Sequence, residues 1–114
     1  MYSFPKNLKI DKSEDFMNIF KDKQKLYGQL ITIFYKKNLK DNSRLGMIVS
    51  KKIDKHSNKR NYMKRVLREL FRCNQKLWSN YDIIIRVNKL FCYKDYSLIK
   101  EEFNKITNKL YKIK

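Results

Sequence analysis

Apolar residues recur along this chain with two different periods. Between positions 58 and 78, Met63, Val66, Leu67, Leu70, Phe71, Leu77 and Trp78 follow one another three and four apart, which aligns them as one stripe on a helix. An amphipathic helix over 58–78 is therefore predicted, the strongest element in the sequence. A similar stripe predicts a helix over 97–111 with Leu98, Ile99, Phe103, Ile106 and Leu110 on its inner side. A shorter helix is predicted over 13–23, carrying Phe16, Ile19 and Phe20, with Asp11-x-x-Glu14 in the form of a capping box.

Three other segments lack the helical period. Leu30-Ile-Thr-Ile-Phe-Tyr35 is rich in β-branched and aromatic residues and reads as a strand. Lys40-Asp-Asn-Ser43 supplies turn chemistry, and Leu45-Gly-Met-Ile-Val49 is a second strand. So short a connection predicts an antiparallel hairpin. Tyr81-Asp-Ile-Ile-Ile-Arg-Val87 is nearly continuously apolar, as a strand covered on both faces tends to be. The order helix, strand, strand, long helix, strand, helix gives an α+β or α/β fold with a small sheet. Gly28, Gly46 and Pro5 are the sole backbone punctuation, and no repeat or linker interrupts positions 1–114, which read as one domain.

Composition adds a partner. The 114 residues carry a formal charge of +17, from 28 Lys and Arg against 11 Asp and Glu. A compact domain tolerates such self-repulsion most readily when a polyanion offsets it. The stretch from Lys36 to Arg72 holds 13 basic and 3 acidic residues, a net +10 in about a third of the chain. Nucleic acid is the first candidate and an anionic membrane surface the second. No run of 18 apolar residues exists, and the start Met-Tyr-Ser-Phe-Pro-Lys lacks the apolar core of a signal peptide, so a cytoplasmic protein without membrane insertion is expected. Cys73 and Cys92 form no C-x-x-C pair and have only His56 for company, which favours two unpaired buried thiols over a zinc site.

The cations concentrate on the long helix. Asn61, Lys64, Arg65, Arg68 and Arg72 fall at i, i+3, i+4, i+7 and i+11, so their side chains leave one face together. At ~1.5 Å per residue that face spans about 16 Å, enough to follow several phosphates. Its three Arg supply planar forks suited to phosphates and base edges. Lys51 and Lys52 leave the second strand, while Lys55, Lys59 and Arg60 lead into the helix. A basic loop feeding a helix N-terminus is a good anion site. The plainer account is a solvated face with Glu69 paired to Arg65 or Arg72, but one acid does not balance five neighbouring cations. The apolar stripe of the same helix matches the flanking strands and is assigned to the core rather than to a membrane.

These residues resemble a known family. Leu45-Gly-Met-Ile-Val-Ser-Lys-Lys52, a short basic loop, and Lys59-Arg-Asn-Tyr-Met-Lys-Arg-Val-Leu-Arg-Glu-Leu-Phe-Arg72 are similar to the signature of the bacterial ribonuclease P protein subunit. That signature is a strand ending in Lys-Lys, a loop, then Arg-Asn-Arg-x-Lys-Arg-x-x-Arg-x-x-Phe on a helix. Phe4-Pro-Lys-Asn-Leu-Lys-Ile10, Asp15-Phe-Met-Asn-Ile-Phe20 and Asp82-Ile-Ile-Ile extend the resemblance over nearly the whole chain. It departs at Tyr62, where the family has Arg: one cation and its fork are given up for a ring able to stack on a base or ribose. The family's Gly after Lys-Lys is also missing, with Asp54 nearby.

The resemblance implies a protein subunit that binds a large catalytic RNA and helps it remove the 5′ leader of precursor tRNA. The RNA would hold the magnesium and perform the hydrolysis, so the polypeptide alone is expected to be inactive. RNA contacts are implied for Lys51, Lys52, Lys59, Arg60, Asn61, Tyr62, Lys64, Arg65, Arg68 and, less centrally, Arg72. The implied fold is α+β, a small mainly antiparallel sheet with one parallel pair joined by a left-handed βαβ crossover, an exception to the usual hand. A cleft between the first helix and the sheet is implied to hold the leader, with Phe16, Phe20 and Phe34 as its aromatic residues. From spacing alone Phe16 and Phe20 would be assigned to the core, and the resemblance reverses that preference.

Three rival readings remain at this level. A self-sufficient nuclease using Asp11, Glu14 and Asp15 for metal is less favoured than capping of a helix start by those residues. No Ser-His-Asp set, Gly-rich phosphate loop or paired-carboxylate motif is present. A structural RNA-binding protein of ribosomal type would share charge and fold class without needing a single-strand cleft. A DNA-binding protein is disfavoured because no second helix abuts the basic one through a short turn.

Overall fold

A computed structural model describes residues 10, 13–21, 24–38, 43–74, 78 and 80–113. In chain order these form α1 (Ser13–Lys21), β1 (Lys25–Tyr27), β2 (Ile31–Lys37), β3 (Arg44–Ile48), α2 (Ser57–Cys73), β4 (Tyr81–Val87), a 3-10 turn (Tyr93–Asp95) and α3 (Tyr96–Ile113). The expected capping box and the expected turn at 40–43 involve Asp11 and residues 40–42, which lie outside the described residues.

The strands form one sheet in the order β1-β2-β4-β3. The pairs β1–β2 and β2–β4 are antiparallel, while β3–β4 is parallel. The predicted hairpin between the second and third strands is thus not formed, because β4 inserts between them. Ile83, Ile84 and Ile85 are apolar on both faces and fully buried, and such a strand gains most at the centre of a sheet. The parallel pair is joined through α2, giving the α+β class with a mixed sheet. Strand β1, three residues long with two of them exposed, had no periodic signature to announce it.

Alternation along the strands separates two cores. Ile31, Ile33 and Tyr35 of β2, Ile83, Ile85 and Val87 of β4 and Leu45 of β3 face α2 and α3. Phe34 and Ile84 face the other way, against Ile19 with Phe16 and Phe20 of α1. The sheet is therefore a middle layer, with α1 on one face and the two longer helices on the other.

Helix α2 buries Met63, Val66, Leu67, Leu70 and Phe71, as its stripe predicts, but it stops at Cys73. The Asn74 side chain donates to the Leu70 carbonyl at 2.9 Å, and its backbone N–H bonds Phe71 O at 3.1 Å. These bonds occupy carbonyls of the last turn and end the helix. Trp78, placed on the helical stripe by its spacing, instead fills the core from beyond the helix end. In α3 the stripe is Ile99, Phe103, Ile106 and Leu110, whereas Leu98 sits on the flank, 58% exposed, contrary to its expected inward position. Glu102 of α3 reaches the turn between β1 and β2, its carboxylate accepting the backbone N–H groups of Gln29, Leu30 and Ile31 at 2.7, 2.9 and 2.9 Å. Both cysteines are exposed rather than buried, because Cys73 closes α2 and Cys92 precedes the 3-10 turn.

Candidate nucleic-acid interface

The stripe that α2 spends on the core fixes what its other side presents. Asn61, Arg65 and Arg72 are exposed and Lys64 and Arg68 half-exposed, all on the side away from the sheet. The five predicted from spacing are thus brought together on one face. Arg72 is engaged there, its Nη2 lying 2.9 Å from Glu69 Oε2, which makes it the least available of the set. Tyr62 lies at the flank of this face. Its ring packs partly into the core, with the Arg65 guanidinium 5.6 Å from the ring centroid. Burial raises the pKa of its hydroxyl, against a lowering by the Arg65 charge.

The loop from β3 into α2 is ordered by its own polar groups. The Ile53 N–H closes a turn onto Ser50 O at 3.1 Å, and Lys51 and Lys52 stand exposed on it. Asp54 Oδ1 accepts the His56 N–H at 2.8 Å and lies 2.9 Å from His56 Nδ1. These hydrogen bonds hold the Asp54 carboxyl below its ordinary pKa, with Lys59 Nζ, 3.8 Å from Oδ2, adding a smaller push. Arg60 turns back, its Nη1 donating to the carbonyls of Asp54 at 3.1 Å and Lys55 at 3.4 Å. Arg60 and Lys59 therefore brace the loop as well as charging it. The first turn of α2 contains no acidic residue, and its N-cap His56 gives it no side-chain cap. The positive end of the helix dipole adds to the cations there.

The aromatic residues of the first helix occupy the other face of the sheet. Phe16 and Phe20 are half-exposed, and Phe20 meets Phe34 edge-on at 4.8 Å between centroids. Phe34 itself is only 7% exposed, so it supports Phe20 from below instead of offering an open ring. Gly46 of β3 admits the Phe16 ring: a Cβ on Gly46 would stand 2.7 Å from Phe16 Cζ. Cations line the same surface. Arg86 lies 5.1 Å from the Phe34 centroid, and Lys25 lies 5.0 Å from the ring of Tyr27, which is 61% exposed.

Arg86, Lys25 and Tyr27 are the residues that sequence reasoning missed. For Arg86 a signal existed, since it is the one cation in a strand whose neighbouring positions Ile83 to Val87 are otherwise apolar. For Lys25 and Tyr27 there was none, because β1 is too short to show a period. Among the described residues no three His, Cys, Asp or Glu side chains gather into a metal-binding group. Nor is any helix long and apolar enough to cross a membrane.

Known proteins are similar to this chain in sequence and in fold. A family model described as Ribonuclease P matches residues 4–111. The ribonuclease P protein component of Fusobacterium nucleatum is 38% identical over 104 residues, covering 90% of this chain and 93% of that one. Its counterpart from Chromobacterium violaceum is 32% identical over 90 residues, covering 79% and 74%. Among solved structures, a Staphylococcus aureus RNase P protein mutant with defective mRNA degradation activity superposes with a TM-score of 0.79 at 26% identity, covering 90% of this chain and 87% of that one. The RNase P protein from Thermotoga maritima gives a TM-score of 0.65 at 28% identity, covering 92% and 93%.

Proposed function

The chain belongs to the ribonuclease P protein family, and from that premise we propose that it grips two RNAs at once, one on each side of its sheet. Its role is that of the protein subunit of an endoribonuclease holoenzyme. In this reading the α2 face, from Asn61 to Arg68 with Lys51, Lys52, Lys59 and Arg60 at its entrance, binds the catalytic RNA. The surface of Phe16, Phe20, Lys25, Tyr27 and Arg86 takes the single-stranded 5′ leader of precursor tRNA.

The observation that carries this reading is that the cationic face of α2 and a surface of mixed rings and cations beside α1 lie on opposite sides of one sheet. Catalytic RNA and precursor tRNA are both polyanions and repel each other. A rigid body of charge +17 between them replaces that repulsion by two attractions and releases condensed counterions from both. The α2 surface is built of cations without exposed rings, which suits the phosphates of a folded RNA. The α1 surface interleaves rings and cations, which suits unstacked bases on a flexible strand. A purely structural RNA-binding protein has no need of the second surface.

Magnesium belongs to the partner RNA in this reading. The described part of the polypeptide gathers no group of carboxylates, imidazoles or thiols to hold it, so no step is assigned to a protein-held ion. The polypeptide positions the leader and screens charge; the bond is broken by the RNA.

The test adds the purified protein to a bacterial ribonuclease P RNA and follows precursor tRNA cleavage at low magnesium. Stimulation is expected, because the protein replaces part of the screening that magnesium otherwise supplies. Absence of stimulation at salt concentrations where binding is measurable overturns the proposal.

A further inference from the structure

Neither the α2 face nor the surface beside α1 includes the most exposed aromatic ring among the described residues. Tyr93 is 72% exposed, and Tyr96, three residues on, is 42% exposed. Tyr93 stands on the connection between β4 and α3 and Tyr96 opens α3, with Lys89 and Lys94 of the connection and Lys100 of the first turns of α3 exposed as well.

This connection is firmly anchored. Phe91 before it and Ile99 after it are buried in the main core. Between them, the Cys92 N–H donates to Asp95 Oδ2 at 3.0 Å, and the Asp95 N–H returns to Cys92 O at 2.8 Å. The two rings are therefore presented from a braced turn, with little conformational freedom left to lose on binding. The same bonds occupy the Asp95 carboxylate. Glu101, the next acid, lies 3.5 Å from Lys105. The local acids are thus engaged, and the three lysines leave the patch cationic.

The patch also continues the α2 surface. Tyr62 is the joint: the Arg65 guanidinium lies 5.6 Å from its ring centroid, and its hydroxyl pKa is raised by burial first and to a lesser degree by Cys92, Tyr96 and Asp95. Rings interleaved with cations are what single-stranded nucleic acid requires, since every base offers a face for stacking and every linkage a charge. Exposed tyrosines also serve protein contacts. The surrounding lysines and the continuity with α2 favour the polyanion.

We propose that Tyr93 and Tyr96, flanked by Lys89, Lys94 and Lys100, form a stacking site for unpaired nucleotides of the same RNA that binds α2. This rests on the assignment of α2 to the catalytic RNA. It extends the contact from backbone phosphates to exposed bases, at a place where the RNA must present a loop or bulge.

The experiment measures equilibrium binding of ribonuclease P RNA by the full-length protein, comparing Tyr93→Ala/Tyr96→Ala, Tyr93→Phe/Tyr96→Phe and Arg68→Ala. The alanine pair is expected to bind about tenfold or more weakly, with its salt dependence unchanged because no charge is lost. The phenylalanine pair keeps both rings and should bind as the parent does. Tyr93→Ala alone, at a position clear of the core, guards against misfolding and should show part of the same loss. Full affinity in the alanine pair together with weakened Arg68→Ala overturns the stacking site and leaves the α2 assignment standing. Full affinity in both overturns the α2 assignment and the inference with it. Unchanged RNA affinity with altered self-association of the alanine pair in sedimentation overturns the inference in favour of a protein contact.

Discussion

Phe20 and Phe34 meet at 4.8 Å with their ring planes 87° apart, so a helix residue and a strand residue form one edge-to-face unit. Such a pair contributes about 0.5–1.5 kcal/mol beyond the area it buries. Phe20 remains half-exposed above it, which leaves ring surface for a base. In the holoenzyme, Phe20→Ala is expected to weaken binding of leader-bearing precursor by about 1–3 kcal/mol and to leave mature tRNA nearly unaffected. Parallel binding measurements with the two RNAs check this, and equal losses return Phe20 to simple packing. Phe34→Ala should instead cost about 3 kcal/mol of folding stability, because that ring is buried.

Gly46 tests the same surface from below. A methyl group there would meet the Phe16 ring at 2.7 Å from Cζ and 3.0 Å from Cε1, the outer end of a half-exposed side chain. The ring can swing outward more easily than β3 can shift. Gly46→Ala is expected to weaken leader binding by about 1 kcal/mol or more through displacement of a stacking ring. Its urea midpoint should move much less than that of Phe34→Ala.

Arg68 tests the other face. If its half-exposed guanidinium neutralises one phosphate, Arg68→Ala lowers the log–log salt slope of catalytic RNA binding by about 0.7 for a single strand or ~0.9 for a duplex. Binding isotherms from low to moderate salt measure it. An unchanged slope would mean that Arg68 is merely solvated.

The sequence disclosed α2 and hid the sheet order, for physical reasons. Met63, Val66, Leu67, Leu70 and Phe71 announce a buried stripe because helical periodicity is local, and the cations opposite follow from the same spacing. Strand pairing is not local. Short separation favoured a hairpin between β2 and β3, yet Ile83, Ile84 and Ile85 already implied a strand with two covered faces, which belongs at the centre. The exposed cysteines illustrate a further limit, since burial at the end of an element depends on what packs beside it. Trp78 fell on the helical period by coincidence, because Asn74 ends the helix before it. Phe16 and Phe20 were legible from spacing only as apolar and from the resemblance as cleft residues, while the cations beside them, Arg86 and Lys25, came into view only with the sheet.

Arg44 and Asp82 join the parallel strands at one end. Arg44 Nε donates to Oδ1 at 2.9 Å and Nη2 to Oδ2 at 2.6 Å, while Asn38 Nδ2 donates to Oδ1 at 2.8 Å. The two side chains are only 15% and 10% exposed. Arg44→Met leaves the carboxylate without its fork and is expected to destabilise the fold by about 2–4 kcal/mol. Arg44→Met/Asp82→Leu should recover most of that loss, because neither charge is then left buried without the other. Urea denaturation of the two variants distinguishes a buried pair of this kind from a weak surface contact.

Asp54 gives the loop ahead of α2 a defined acid dependence. Hydrogen bonds from the His56 backbone and ring hold its pKa below the ordinary 3.8. A carboxyl with a depressed pKa in the folded state binds protons more readily when unfolded. The stability it contributes is therefore fully present above pH 3.8 and lost as the pH falls through the lower folded value. Asp54→Asn should be less stable than the parent at neutral pH, with the gap closing as acid protonates the parent's carboxyl. Side-chain carboxyl NMR should place the Asp54 midpoint below 3.8, and a midpoint at or above it would remove the bracing role assigned to this residue. Because Arg60 donates to the Asp54 carbonyl, the loss should reach Lys51 and Lys52 too, seen as faster amide exchange across the loop.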